Sequence, residues 1–166
     1  MLHLSRVGCR NFKSRSLTLL GEHERYGLRG MKLWFVDDKR DNHETWSNSF
    51  PEPIKASCEL RSFFSVSELT DEFSVGELPD ILFLDFFIGE VLGIEVIRCF
   101  ENKAVRPVLI AHSSMKEASV GMVREGADFY LEKIKNRPHT KSIRNAFQTI
   151  DDVRYIVQNR AIRERP

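Results

Sequence analysis

Residues 81 to 97 read ILFLDFFIGEVLGIEVI, and within them four consecutive apolar residues, Ile81 to Leu84, end on a carboxylate, Asp85. A strand with one wet face alternates apolar and polar side chains. A run this continuous has no solvent face and suits a central strand of a parallel sheet covered on both sides. A buried carboxylate without partners costs roughly several kcal/mol. Asp85 is therefore expected at the mouth of the core, where the strand emerges, and in the company of a cation.

From Met31 onward the chain alternates short β-rich runs with helical patterns, the mark of a parallel sheet carrying helices on both faces. Residues 32–36 form the first strand, ending at Asp37-Asp38. Residues 42–50 read as a first helix stopped by Pro51-Glu52-Pro53, because the residue before a proline is pushed out of the helical region. Residues 57–64 are a weaker second strand. A helix opening at Ser65 carries Leu69 and Phe73 on one face. After the central strand, residues 93–101 form a third helix and residues 107–112 a fourth strand. Ser114 is the expected N-cap of a helix running to Glu125 and closed by Gly126. Residues 128–131 are the fifth strand. The last helix begins near Thr140, with Ile143, Phe147, Ile150, Val153 and Val157 along one stripe. Five strands alternating with five helices define one α/β domain: a flavodoxin-like, doubly wound, five-stranded parallel sheet.

That domain is expected over residues 31–158. Residues 1–30 hold six cations against two acids, while the rest of the chain holds 19 against 22. This basic N-terminal extension admits three readings: an over-extended start site, a disordered tail or a targeting signal. Residues 159–166 are expected as a basic tail continuing the last helix. The three cysteines lack CxxC spacing, which argues against a zinc site.

In an open parallel sheet, ligands bind outside the carboxyl ends of the strands, near the point where strand order reverses. Asp37 and Asp38 close the first strand and Asp85 the third. If those strands are neighbours, three carboxylates converge, and like charges that close demand a cation. A hard divalent ion such as Mg²⁺ is the simplest partner. The fourth strand brings the hydroxyls of Ser113 and Ser114, and the fifth brings Lys133. Carboxylates, a metal, a hydroxyl and an ammonium around one pocket make a phosphoryl-binding constellation with Asp85 as nucleophile.

Phe35-Val36-Asp37-Asp38, Leu82-Phe83-Leu84-Asp85 with Gly93 eight positions on, a hydroxyl after the fourth strand, and Gly126-Ala127-Asp128-Phe129-Tyr130-Leu131-Glu132-Lys133 together resemble the receiver domain of two-component response regulators. The resemblance implies that Asp85 accepts a phosphoryl group from the phosphohistidine of a histidine kinase or phosphotransfer protein. It implies Mg²⁺ held by Asp38 directly, by Asp37 through water, by Asp85 and by the backbone carbonyl of Phe87. Lys133 would pair with one phosphoryl oxygen, Ser113 or Ser114 would bond another, and Tyr130 would be the aromatic that swings inward. A downstream protein partner would read the change around the fourth helix, fifth strand and fifth helix. On this reading the chain is a cytoplasmic signalling protein that supports its own phosphorylation and dephosphorylation, not an enzyme acting on a separate substrate. No DNA-binding domain and no membrane span are expected, and the end of the last helix could pair in a homodimer.

Departures from the pattern matter as well. Ile134 stands where the family usually has a proline. Distance from Asp85 favours Ser113 as the hydroxyl, the length of the fourth strand admits His112 there, and Ser114 doubles as a cap. Phe86 and Phe87 could hinder an attacking water, which predicts a slowly hydrolysing phosphoaspartate. The five histidines read as structural or solvated. The alternative is a degenerate receiver acting as a phosphorylation-independent interaction module. A dehalogenase-type phosphatase is disfavoured because Phe87 occupies the place of its second acid. A flavin carrier is disfavoured by the acidic turn after the first strand.

Overall fold

A computed structural model describes residues 30–134 and 137–164. The N-terminal extension, apart from Gly30, lies outside the described residues. The chain runs β1 (Met31–Val36), α1 (Arg40–Asn48), α2 (Glu52–Ser57), β2 (Cys58–Phe63), α3 (Val66–Ser74) and β3 (Ile81–Leu84). It continues through a small hairpin, β4 (Phe87–Ile88) and β5 (Val91–Leu92), into α4 (Gly93–Arg98), β6 (Val108–Ala111), α5 (Lys116–Arg124), β7 (Phe129–Tyr130), α6 (Lys141–Ala146) and α7 (Ile150–Asn159).

Five strands form one parallel sheet in the order β2-β1-β3-β6-β7, the flavodoxin-like arrangement in which strand order reverses between β1 and β3. The period of two along each strand sorts its side chains between two cores. Leu33, Phe35, Ile81, Phe83, Val108 and Ile110 face one side with Trp46, Phe50, Ile54, Ile143 and Val153, beneath α1, α2, α6 and α7. Trp34, Val36, Leu82, Leu84 and Leu109 face the other with Leu69, Phe73, Val96, Ile97 and Met122, beneath α3, α4 and α5. Every residue of β1, β3 and β6 is buried, which is why β3 tolerates no polar alternation.

Four local expectations are corrected. Pro51-Glu52-Pro53 does not only stop a helix; it starts α2, with Pro51 as extended N-cap and Pro53 in the first turn, where a missing N–H costs nothing. Ser114 is not the cap of α5, whose N-cap is Met115; Ser113 Oγ accepts the Met115 N–H at 3.3 Å. The last helix is two helices. Phe147 leaves the helical region (φ −120°, ψ 75°), and Thr149 caps α7 by accepting the Asp152 N–H, while the Asp152 carboxylate accepts the Thr149 N–H. The apolar stripe survives the break because Ile143, Phe147 and Val153 are all buried in one core. Residues 160–164 do not continue α7. Arg160 adopts a left-handed conformation (φ 53°), and its guanidinium donates to the carbonyls of Arg106 and Pro107 and to Asp128.

Candidate functional site

The sheet places β1 beside β3 with Val36 opposite Leu84, so Asp37 and Asp85 emerge side by side. The Asp37 N–H donates to the Phe63 carbonyl and the Asp85 N–H to the Val36 carbonyl, extending both ladders one residue past the strands. Asp37, Asp38 and Asp85 each offer an oxygen within 4.8 Å of the others, Asp37 and Asp85 buried and Asp38 exposed. Three oxygen donors of this kind fit a hard divalent cation such as Mg²⁺, which takes carboxylates and keeps waters.

Lys133 reaches into this cluster from the segment after β7. Its buried ammonium lies 2.5 Å from Asp37 Oδ2 and 3.0 Å from Asp85 Oδ1. Asp37 is also held by its own neighbours in the chain. Its Oδ1 accepts the Lys39 N–H at 2.8 Å, its Oδ2 accepts the Asn42 amide at 2.8 Å, and its backbone carbonyl accepts the His43 Nε2–H at 2.6 Å. Asp85 is less well compensated. Burial pushes its carboxyl above the ordinary carboxylate range, the Lys133 ammonium opposes the rise, and the charge of Asp37 adds to it.

Gly93 opens α4 directly behind the cluster. A Cβ there would meet the Asp85 carbonyl oxygen at 2.2 Å and the Met122 methyl at 2.8 Å, so only glycine lets the helix approach this closely. The β4–β5 hairpin, turning at Gly89 (φ 62°), presents Phe87 with half its surface exposed.

A cleft opens over the cluster, lined among others by Lys39, Asn42, Asp85, Ser114, Lys133 and Arg137. Ser114 is exposed within it, whereas Ser113 is buried with its hydroxyl on the Met115 amide. Tyr130 closes β7 with its side chain partly exposed. Sequence reasoning missed Asn42 and His43, which hold Asp37 from the first turn of α1. It also left His112 among the structural histidines. The β3–β6 register, Leu84 opposite Ala111, puts His112 opposite Asp85. Its Nδ1 lies 2.8 Å from the Leu131 carbonyl, and burial, reinforced by the Lys133 charge, lowers its pKa to about 4.

No family model and no curated protein sequence matches the chain. Solved structures share its fold. The response regulator DrrB of Thermotoga maritima, an OmpR/PhoB homologue, superposes with a TM-score of 0.60 at 17% identity over 81% of this chain, which spans only 55% of DrrB. A putative response regulator from Chloroflexus aurantiacus gives 0.60 at 18% identity, covering 79% of this chain and all of its own. The receiver domain of a Francisella response regulator gives 0.58 at 16%, covering 79% and 99%. The chain therefore has the fold of response-regulator receiver domains.

Proposed function

We propose that the chain is a phosphoacceptor of a two-component phosphorelay, with Asp85 as the accepting residue. The observation that carries this reading is the convergence of Asp37, Asp38, Asp85 and Lys133 at one end of a receiver-type sheet. An Asp85 carboxylate oxygen attacks the phosphorus of a phosphohistidine on a histidine kinase or phosphotransfer protein. The new O–P bond forms as the P–N bond breaks, and the electron pair of that bond stays on the partner's imidazole. Asp37, Asp38 and Asp85, with the backbone carbonyl of Phe87, would hold a Mg²⁺, which would supply charge neutralisation for the transferred group. Lys133 passes from bridging two carboxylates to pairing with a phosphoryl oxygen, and Ser114, already on the cleft, offers a hydroxyl to another.

The output is a change in conformation read by a protein partner on the face around α5 and β7, where Tyr130 stands partly exposed. The chain acts as a signalling domain in the cytoplasm. Among the described residues, no helix is long and apolar enough to cross a membrane. The test is intact-mass spectrometry after incubation with Mg²⁺ and phosphoramidate, a small donor with the P–N bond of phosphohistidine. The wild type gains one phosphoryl group and Asp85→Asn gains none; equal gain in both, or no gain in either, overturns the reading.

A further inference from the structure

His112 is buried, titratable and unused by the chemistry above, yet it ties the ends of neighbouring strands together beside the site. Its backbone N–H donates to the Leu84 carbonyl at 2.8 Å, fastening it to the residue before Asp85. A carbonyl can only accept, so the 2.8 Å contact to Leu131 fixes the proton on Nδ1. The ring meets Phe35 of β1 and Phe83 of β3 edge-on, with centroids 5.8 and 6.0 Å away.

Strand β7 has only two paired residues, Phe129 opposite Ile110 and Tyr130 opposite Ala111. Beyond them the backbone must carry Lys133 across to Asp37 and Asp85. Three hydrogen bonds hold that segment to the end of β6: Leu131 N–H to the Ala111 carbonyl at 2.9 Å, His112 Nδ1–H to the Leu131 carbonyl, and Lys133 N–H to the Ser113 carbonyl at 3.2 Å. The middle bond is the only one of the three made by a side chain, so it is the one that residue identity controls.

We infer that His112 is a positioning residue for Lys133, its ring holding the strand that delivers the ammonium to Asp85. This rests on the phosphoacceptor reading. The position opposite Asp85 is filled by a residue bonded through its backbone N–H to Leu84 and through its ring to Leu131, and it carries no hydroxyl, so the hydroxyl that follows a phosphoryl group is left to Ser114 on the cleft.

The inference is tested by the rate of Mg²⁺-dependent phosphoryl uptake from phosphoramidate in four variants: His112→Leu, which keeps the volume and loses the donor; His112→Asn, whose amide can replace Nδ1–H; Lys133→Ala; and the His112→Leu/Lys133→Ala pair. Circular dichroism establishes that each is folded. His112→Leu is expected to slow uptake roughly tenfold, with the loss in maximal rate and not in half-saturating donor concentration. His112→Asn should recover to within about twofold, and His112→Leu should add no further loss to Lys133→Ala, as residues acting through one group do. Wild-type rate in folded His112→Leu, failure of His112→Asn to recover it, or additive losses in the pair would overturn the inference. Should His112→Leu not fold, His112→Ser, too short to reach Leu131, takes its place. Hydrogen exchange at the Lys133 amide separates the two readings: faster exchange in the donor-less variant supports the positioning role even if no form takes up phosphate, and unchanged exchange there rejects it.

Discussion

The Lys133 ammonium lies 3.0 Å from the Asp85 carboxylate and 2.5 Å from that of Asp37, so one buried cation bridges two buried acids. Removing the cation from such a set leaves uncompensated charge, which typically costs about 3–5 kcal/mol. Lys133→Ala is accordingly expected to lower the unfolding free energy by about that amount in EDTA. Mg²⁺ should restore much of it, because the ion takes over the neutralisation. Chemical denaturation with and without Mg²⁺ checks this, and equal losses in both conditions would remove the metal from the cluster.

Asp85 gives the opposite sign. Its carboxyl titrates above the ordinary carboxylate value of 3.8 because burial disfavours the charge. The folded state thus binds this proton more tightly than the unfolded chain, and stability falls as pH rises through the window from 3.8 to the raised value. Above that window the ionised group is a net cost. Asp85→Asn should therefore be more stable than wild type at neutral pH, with a melting temperature higher by on the order of a few degrees. A lower melting temperature would mean that its bond to Lys133 outweighs the burial.

His112 predicts a separate dependence on acid. Its pKa falls from the ordinary 6.5 to about 4 in the fold, so between those values the unfolded chain binds the proton that the native state refuses. The stability linked to His112 is complete above pH 6.5 and is lost as pH falls toward 4, by about 3 kcal/mol in all. Denaturation curves between about pH 4 and 7 should show this slope in wild type and a shallower one in His112→Asn.

Phe87 stands two residues after Asp85 with 51% of its surface exposed, and its ring meets Phe86 at 4.7 Å. A phenyl side chain gives a hydrolytic water no hydrogen-bond partner. Phe87→Asn, which does, should shorten the lifetime of the Asp85 phosphoryl group by about tenfold, equivalent to ~1.4 kcal/mol. Decay of the phosphorylated mass after donor removal measures it. No change would place the barrier to hydrolysis elsewhere.

Legibility in the sequence differs by residue. The strand Ile81–Leu84 can be read to the residue, because unbroken apolarity ending on a carboxylate suits a doubly covered strand that surfaces at its carboxyl end and little else. The convergence of Asp37 and Asp85 follows from strand ends once β1 and β3 are taken as neighbours. The break at Phe147 is invisible because the apolar stripe continues through it, and periodicity cannot see a capped kink that keeps its face. The start of α2 is hidden because proline reads as a breaker although it suits a first turn. The role of His112 needs the β3–β6 register and the path of the chain after β7, and neither is a property of local sequence.

The central claim is that Asp85 itself carries the phosphoryl group. Borohydride reduces an aspartyl phosphate to homoserine, so reduction after incubation with phosphoramidate and Mg²⁺, followed by peptide mapping, locates the acceptor directly. Homoserine at position 85, absent without Mg²⁺ and absent from Asp85→Asn, is the predicted result. Homoserine at another aspartate, or none in a protein that has bound Mg²⁺, would contradict it.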